Sequence, residues 1–313
     1  MMTVYENIND LNDSIDDENL SLTIGNFDGV HLGHQQLISD VLKHCEKNNE
    51  SLAIMTFTPH PRMVLRGDNG FLINEFPERR ELLVNAGAGK IVELHFDRDF
   101  SNLTPEEFLE KFIFNIKNLK TIFLGHDFAF GANKSGSYDL VKQLASKKGI
   151  AVFLESEFSP GDGQQVSSTQ VRNAILSSDM KLASQLLGRE FQISGRVVKG
   201  QGRGKTIGFP TANLMVDPCR IIPKHGVYAT QVTINNLVFN SITNVGVNPT
   251  FKDDKQAIVE TFIFDFDQDI YGDVLKVKFF DFIRPEKKFN SVNELIAQIT
   301  VDVEKSKKYF NHD

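Results

Sequence analysis

From Leu20 to about Leu154, short apolar runs alternate with segments whose apolar residues recur every three or four positions. Leu20–Ile24, Ser51–Phe57, Lys90–Phe96, Thr121–Leu124 and Ala151–Leu154 read as buried strands. Gln35–Lys47, Pro77–Ala86 and Pro105–Lys117 lie between them and carry the helical spacing. Strands that alternate with helices predict a parallel sheet covered on both faces, an α/β fold. In such sheets ligands bind beyond the carboxyl ends of the strands.

From about Phe191 the pattern changes. Val227–Ile234, Ile258–Phe266 and Val274–Ile283 are rich in Val, Ile, Phe and Thr with partial alternation, and Gly and Asn–Pro turns separate them. Short strands without intervening helices predict an antiparallel barrel or sandwich. Val292, Leu295, Ile296, Ile299 and Val303 form the apolar stripe of a terminal helix. The boundary falls near Leu187–Glu190, after an amphipathic segment that stops at Gly188, so the expected domains are residues 1–190 and 191–313. Length agrees: 313 residues exceed the ~250–300 at which single cores stop growing.

Composition narrows the function classes. A hydrophobic fraction of 41% excludes a largely disordered chain. No apolar run approaches the ~18 residues that span a bilayer, and the acidic stretch Met1–Ser21 lacks the basic and apolar regions of a secretory signal. Cys45 and Cys219 are far apart and give neither a disulfide framework nor a zinc pattern. A cytoplasmic protein is expected. The net charge of -7 argues against a nucleic-acid partner, because such proteins carry a basic footprint.

The first chemical constellation is Gly25-Asn26-Phe27-Asp28-Gly29-Val30-His31-Leu32-Gly33-His34, directly after the first strand. Gly25 and Gly29 allow a tight turn, and Gly33 allows a ligand to approach the start of the next helix. Helix N-termini present free N–H groups to phosphate, and His31 and His34 can both face such a pocket. A turn with satisfied surface histidines is the plainer alternative. A zinc site lacks a third ligand nearby. Thr58-Pro59-His60-Pro61 follows the second strand, and Gly125-His126-Asp127-Phe128-Ala129-Phe130-Gly131 a later one. Val166-Ser167-Ser168-Thr169-Gln170-Val171-Arg172 then opens a helix with hydroxyls at cap positions. Taken singly, each is equally a stiffened loop or a cap. In this order they resemble the FMN adenylyltransferase module of the bacterial bifunctional riboflavin kinase/FAD synthetase family.

The second half is similar to the other module of that family. Gly195 to Asn213 is glycine-rich and contains Gly202, Gly204 and Lys205. Gly204-Lys205-Thr206 mimics a Walker A ending, but the first glycine is one residue out of place and no αβ context follows. Phe209-Pro210-Thr211-Ala212-Asn213 matches the riboflavin kinase hallmark. Gly226-Val227-Tyr228-Ala229, Asn244 to Phe251 with Asn248, Val259-Glu260-Thr261 and Arg284-Pro285-Glu286-Lys287-Lys288-Phe289 also match. Glu260 interrupts an apolar strand, where a carboxylate needs a task, a partner or solvent. Asp265, Asp267 and Asp269 lack the glycine and closing acid of a calcium loop.

The resemblance covers Leu20 to Tyr309. It implies a Rossmann-like nucleotidyltransferase domain followed by an antiparallel riboflavin kinase barrel. It further implies phosphorylation of riboflavin to FMN by MgATP, then adenylylation of FMN by a second ATP to give FAD and pyrophosphate. By the same resemblance, Glu260 is the kinase's general base and Thr211 and Asn213 hold Mg²⁺ and ATP phosphates. His31 and His34 stabilise adenylyl transfer. Gly25, Phe27, Asp28, Gly29, Gly33, Ser168, Thr169, Arg172, Gly202, Gly204 and Lys205 bind ATP or its phosphates. His60, Asp127, Phe128, Asn248 and Arg284 contact flavin. Two departures fall in the first module: Gln165 and Lys134 stand where the family usually has a basic residue and Arg. They motivate a kinase-only alternative; a flavin-binding regulatory protein without turnover is the other. A monomer or weak oligomer with small-molecule partners is expected.

Overall fold

The computed structural model describes residues 3–125, 130–132, 135–154, 166–200, 202–247 and 257–311. The chain forms two compact units, Met1–Asn69 with Asn74–Ser168, and Gly70–Ile73 with Thr169–Asp313.

The first unit contains β1 (Thr3–Tyr5), α1 (Ile8–Ser14), β2 (Asn19–Ile24), α2 (Leu32–Asn48), β3 (Glu50–Thr58), α3 (Pro61–Arg66), α4 (Phe76–Asn85) and β4 (Lys90–His95). It continues with α5 (Arg98–Ser101), α6 (Pro105–Phe108), β5 (Leu119–Leu124), α7 (Tyr138–Ser146) and β6 (Ala151–Leu154). All strand pairs are parallel, in the order β1-β4-β3-β2-β5-β6. The predicted parallel α/β sheet is present. One face buries Leu20, Leu22, Met55 and Ile122 with Leu11 of α1 and Val141 of α7. The other buries Ile54, Ile91 and Phe123 against Ile38 and Val41 of α2 and Leu83 of α4.

Two local differences from the sequence pattern have physical causes. The acidic N-terminus is not featureless: Asn7 caps α1, Ile8 and Leu11 are buried, and β1 extends the sheet beside β4. The segment predicted as one helix over 105–117 begins as α6, closed by a Thr104–Glu107 capping box, then widens into a π turn at Leu109–Ile113. The Phe114 N–H donates to the Leu109 carbonyl at 2.8 Å, the i→i+5 bond that defines the π turn.

The second unit starts within α8 (Ser168–Ser177) and continues with α9 (Met180–Leu187), β7 (Phe191–Val198), α10 (Arg203–Thr206) and β8 (Ala212–Met215). β9 (Gly226–Ile234), β10 (Leu237–Val247), β11 (Ala257–Ile263), β12 (Val274–Arg284) and α11 (Val292–Phe310) complete it. Six antiparallel strands close into a barrel in the order β10-β11-β8-β7-β12-β9. Of the two antiparallel architectures the pattern allowed, the barrel is the one formed. Inside it, Thr230 meets Ser241 and Thr243 at 2.8 Å, and Thr243 meets Thr261 at 2.9 Å. All four hydroxyl residues are fully buried.

α11 lies on the outer face, where Ile299 and Val303 pack against Val227, Ile242 and Phe264. Its deepest residues are nevertheless polar. Asp302, 0% exposed, receives Nε and Nη2 of Arg284 at 2.8 Å each, and Ser306 donates to the Ser241 carbonyl at 3.0 Å. Removing one member of a buried pair leaves the other charge uncompensated. Asp302→Ala is therefore expected to destabilise this unit by about 3 kcal/mol. Urea unfolding of the full chain measures it; a loss below about 1 kcal/mol would match a solvent-exposed pair instead.

Candidate functional site

The order of the parallel sheet reverses between β2 and β5, which opens a crevice at their carboxyl ends. The Gly25–His34 segment fills the turn from β2 into α2. It departs strongly from ordinary backbone: Phe27, Gly29 and Val30 have φ of 49°, 89° and 39°. A β-branched residue at positive φ is strained and persists only where packing enforces it. Here Phe27 and Val30 are sunk into the core with Ile38 and Val41. Gly25 gives the Phe27 ring its room, since a Cβ there would lie 3.1 Å from it.

His31 caps α2, and its Nδ1 accepts the His34 N–H at 3.4 Å. The two imidazoles stack with centroids 3.7 Å apart. Both predicted histidines therefore meet at a helix N-terminus. Gly33 must be small there, because a Cβ would sit 3.2 Å from the His31 ring and the Val166 carbonyl. Asp28 is 3% exposed, and its carboxylate accepts the Asn74 N–H at 3.3 Å. Ser168, the last residue of the first unit, donates to the Asp28 carbonyl at 2.9 Å. His60, beyond β3, caps α3 by accepting the Arg62 N–H. Thr169 and Arg172 belong to the second unit, where Arg172 Nε donates to the Phe71 carbonyl at 2.9 Å. Asp127, Phe128 and Asn248, with Lys134 and Gln165, lie outside the described residues.

The barrel builds a second constellation from strand alternation. Val259 and Thr261 are fully buried, so Glu260 between them projects from the outer face. Its cross-strand neighbours are Asn213 on β8 and Asn244 on β10, which share that face. Asn244 was not named as a site residue, because only the register of β10 on β11 brings it beside Glu260. Glu260 is half-buried, and its carboxylate makes no hydrogen bond among the described residues. Burial pushes its carboxyl above the usual range, opposed by the positive charge of Arg203.

The glycine-rich segment covers this face. A Cβ on Gly200 would collide with the Asn213 amide, and one on Gly204 with the Phe209 carbonyl. Phe209 donates its N–H to the Gly204 carbonyl at 2.8 Å and sets its ring edge-on to Phe262 of β11. Gly202, at φ 69°, starts the short turn that carries exposed Arg203 and Lys205. Thr211, Asn213, Gly202, Gly204, Lys205 and Glu260 thus fall on or beside one surface. Arg284 instead spends its guanidinium on Asp302 and the Pro285 carbonyl.

The fold and these two constellations define a chain of two nucleotide-using transferase modules, one on a parallel sheet and one on a barrel. A FAD synthetase family model matches residues 13–170, and a riboflavin kinase model matches residues 187–310. The bifunctional riboflavin kinase/FMN adenylyltransferase of Bacillus subtilis is 35% identical over 295 residues, covering 93% of this chain and 92% of that one. That of Listeria monocytogenes is 32% identical over 312 residues, covering 99% and 98%. A crystal structure named as a macrolide-efflux protein from Streptococcus pneumoniae superposes with a TM-score of 0.84 at 34% identity, over 98% of both chains. The chain belongs to the bifunctional riboflavin kinase/FMN adenylyltransferase family. Among the described residues, no helix is long and apolar enough to cross a membrane.

Because Gly200 leaves the room in which the Asn213 amide sits, Gly200→Ala is expected to weaken ATP binding to the second unit at least about tenfold, equivalent to one misplaced polar contact. Calorimetric titration measures it, with thermal unfolding alongside; unchanged affinity in a folded variant would show that Asn213 does not need this position.

Proposed function

We propose that the chain makes both flavin nucleotides: its second unit phosphorylates riboflavin to FMN, and its first transfers an adenylyl group from ATP to FMN, giving FAD and pyrophosphate. The observation that carries the reading is Glu260, a half-buried carboxylate without a hydrogen-bond partner among the described residues, set between Asn213 and Asn244 on one barrel face. A carboxyl whose burial raises its proton affinity is suited to act as a general base. Glu260 takes the proton of the riboflavin 5′-hydroxyl as that oxygen attacks the γ-phosphorus of ATP and ADP leaves. The hydroxyl of Thr211 and the amide oxygen of Asn213 are hard donors that fit Mg²⁺, and the glycine backbone at Gly200 and Gly204 approaches them closely. A Mg²⁺ ion bound there supplies charge neutralisation for the phosphoryl oxygens. Asn244 orients the hydroxyl or the phosphate beside Glu260.

In the first unit, an FMN phosphate oxygen attacks the α-phosphorus of ATP and pyrophosphate departs. The α2 N-terminus, with the stacked His31 and His34, faces the charge that develops on the phosphate oxygens. His60, at the carboxyl end of β3, and the Asp127–Phe128 segment contact the flavin, and Ser168 steadies phosphate. We assign the catalytic domains to residues 1–190 and 191–313, a cytoplasmic setting, and a monomer or weak oligomer. The kinase-only alternative rests on Gln165 and Lys134, outside the described residues.

The purified chain with riboflavin and MgATP is expected to yield FMN and then FAD, followed by chromatography of the flavins. FMN that accumulates without FAD overturns the second activity, and no FMN overturns both. Glu260→Gln is expected to slow FMN formation by ~10²–10⁴ while FMN added directly still becomes FAD. Because only the ionised carboxylate accepts a proton, the wild-type kinase rate falls as pH drops through a midpoint above the ordinary Glu value. The residual rate of Glu260→Gln should lack this acidic limb; a limb that persists assigns the titration to another group.

A further inference from the structure

The first unit buries a cation that touches no expected substrate position but grips two site loops from behind. Arg79 lies in α4 and is 2% exposed. Its Nη1 donates to the Asn26 carbonyl at 3.1 Å, inside the loop that leads to His31. Its Nη2 donates to the Phe57 carbonyl and the Thr58 hydroxyl at 3.2 Å each, at the end of β3 just before His60. Glu93 of β4, also buried, pairs with the same Nη2 at 2.9 Å and fixes the fork in place. Thr56 adds a second, longer hold on the Asn26 carbonyl at 3.3 Å.

This arrangement is more than a satisfied core charge. A buried guanidinium could be neutralised by Glu93 alone, yet its other hydrogen bonds go to the two segments that carry His31, His34 and His60. Those segments leave adjacent strands, and the first runs through the strained residues Phe27 and Val30. Arg80 gives a natural contrast. It pairs with the same Glu93, Nε to Oε2 at 2.8 Å, but makes no contact with either loop among the described residues.

We infer that Arg79 is a positioning residue for adenylyl transfer, holding the nucleotide loop and the flavin loop in register through one planar fork. The inference rests on the adenylyltransferase reading above. Arg79→Lys keeps the charge opposite Glu93 but offers a single nitrogen where the fork offers two. It is expected to lower kcat for conversion of FMN to FAD by about ten- to a hundredfold, because small misplacements of reacting groups cost that much. KM for ATP should change less than threefold, and riboflavin phosphorylation by the same preparation should stay within twofold. Arg80→Met should keep kcat for FAD formation within twofold.

The full chain is assayed for both reactions at a temperature well below the measured unfolding of each variant. Wild-type kcat in folded Arg79→Lys overturns the inference. So does an equal loss in Arg79→Lys and Arg80→Met, which marks the Glu93 network as merely structural. If Arg79→Lys does not fold, Thr58→Val decides: it removes one Arg79 contact to the flavin loop, and an unchanged kcat overturns the inference whereas a fall of threefold or more supports it. A wild-type chain that makes FMN but no FAD overturns the adenylyltransferase reading itself, a result distinct from all of these.

Discussion

A strand flanked on both edges satisfies its backbone through its neighbours, and this requirement decides where chemistry can sit in both units. In the parallel sheet, β2, β3, β4 and β5 are each paired on both sides, and helices cover both faces. Functional groups therefore leave the strands at their carboxyl ends, and the reversal of order between β2 and β5 is where two such ends diverge. In the barrel, closure uses every strand edge. No strand end is privileged there, and the candidate constellation of Glu260, Asn213 and Asn244 lies on the outer face instead.

On that face the phase of one strand matters more than any single contact. Thr261 lies in the buried hydroxyl chain with Thr243 and Thr230, and Glu260 lies one residue away. A slip of one residue would bring the Glu260 carboxylate into the barrel and put Thr261 outside. The hydroxyls would then lose their partners, at a cost of ~1–3 kcal/mol for each one buried unsatisfied. The hydroxyl chain inside the barrel thus fixes the orientation of a carboxylate outside it. The first unit achieves the same end differently. Packing of Phe27 and Val30 against α2 holds a backbone path that their own dihedral preferences oppose, and that path delivers His31 and His34 to the helix start.

Much of this was legible along the chain because it is written in local periodicity. The strands near 20–24, 51–57, 90–96, 121–124 and 151–154 are short, largely apolar runs, and β11 is an apolar segment interrupted by one acidic residue. What was not legible depends on partners distant in sequence. Arg79 looks like any exposed charge on a helix until the carbonyls of Asn26 and Phe57 converge on it. Asn244 gains meaning only when the register of β10 on β11 is known. Arg284, expected at flavin, has a buried carboxylate eighteen residues onward as its partner. Gly70–Ile73 pairs with the Cys219 region, through Phe71 and Leu72, although the surrounding chain belongs to the other unit. No helical or strand periodicity encodes such an exchange.

The same contrast resolves the apparent conflict between a charge of -7 and substrates rich in phosphate. Long-range attraction by net charge is screened within about 8–10 Å at ordinary ionic strength, so it says little about a pocket. What matters at the pocket is the density of fixed donors. In the first unit the proposed donors are backbone N–H groups at the α2 start, beside the two stacked imidazoles. In the second, glycines let the backbone itself approach Asn213 and Thr211, and the exposed cations Arg203 and Lys205 sit on the same short turn. Fixed dipoles cost no reorganisation when charge moves between phosphate oxygens, whereas flexible lysines on an open surface would have to follow it. An acidic chain can therefore handle triphosphates, provided that strand ends and strand phase hold a few local donors still.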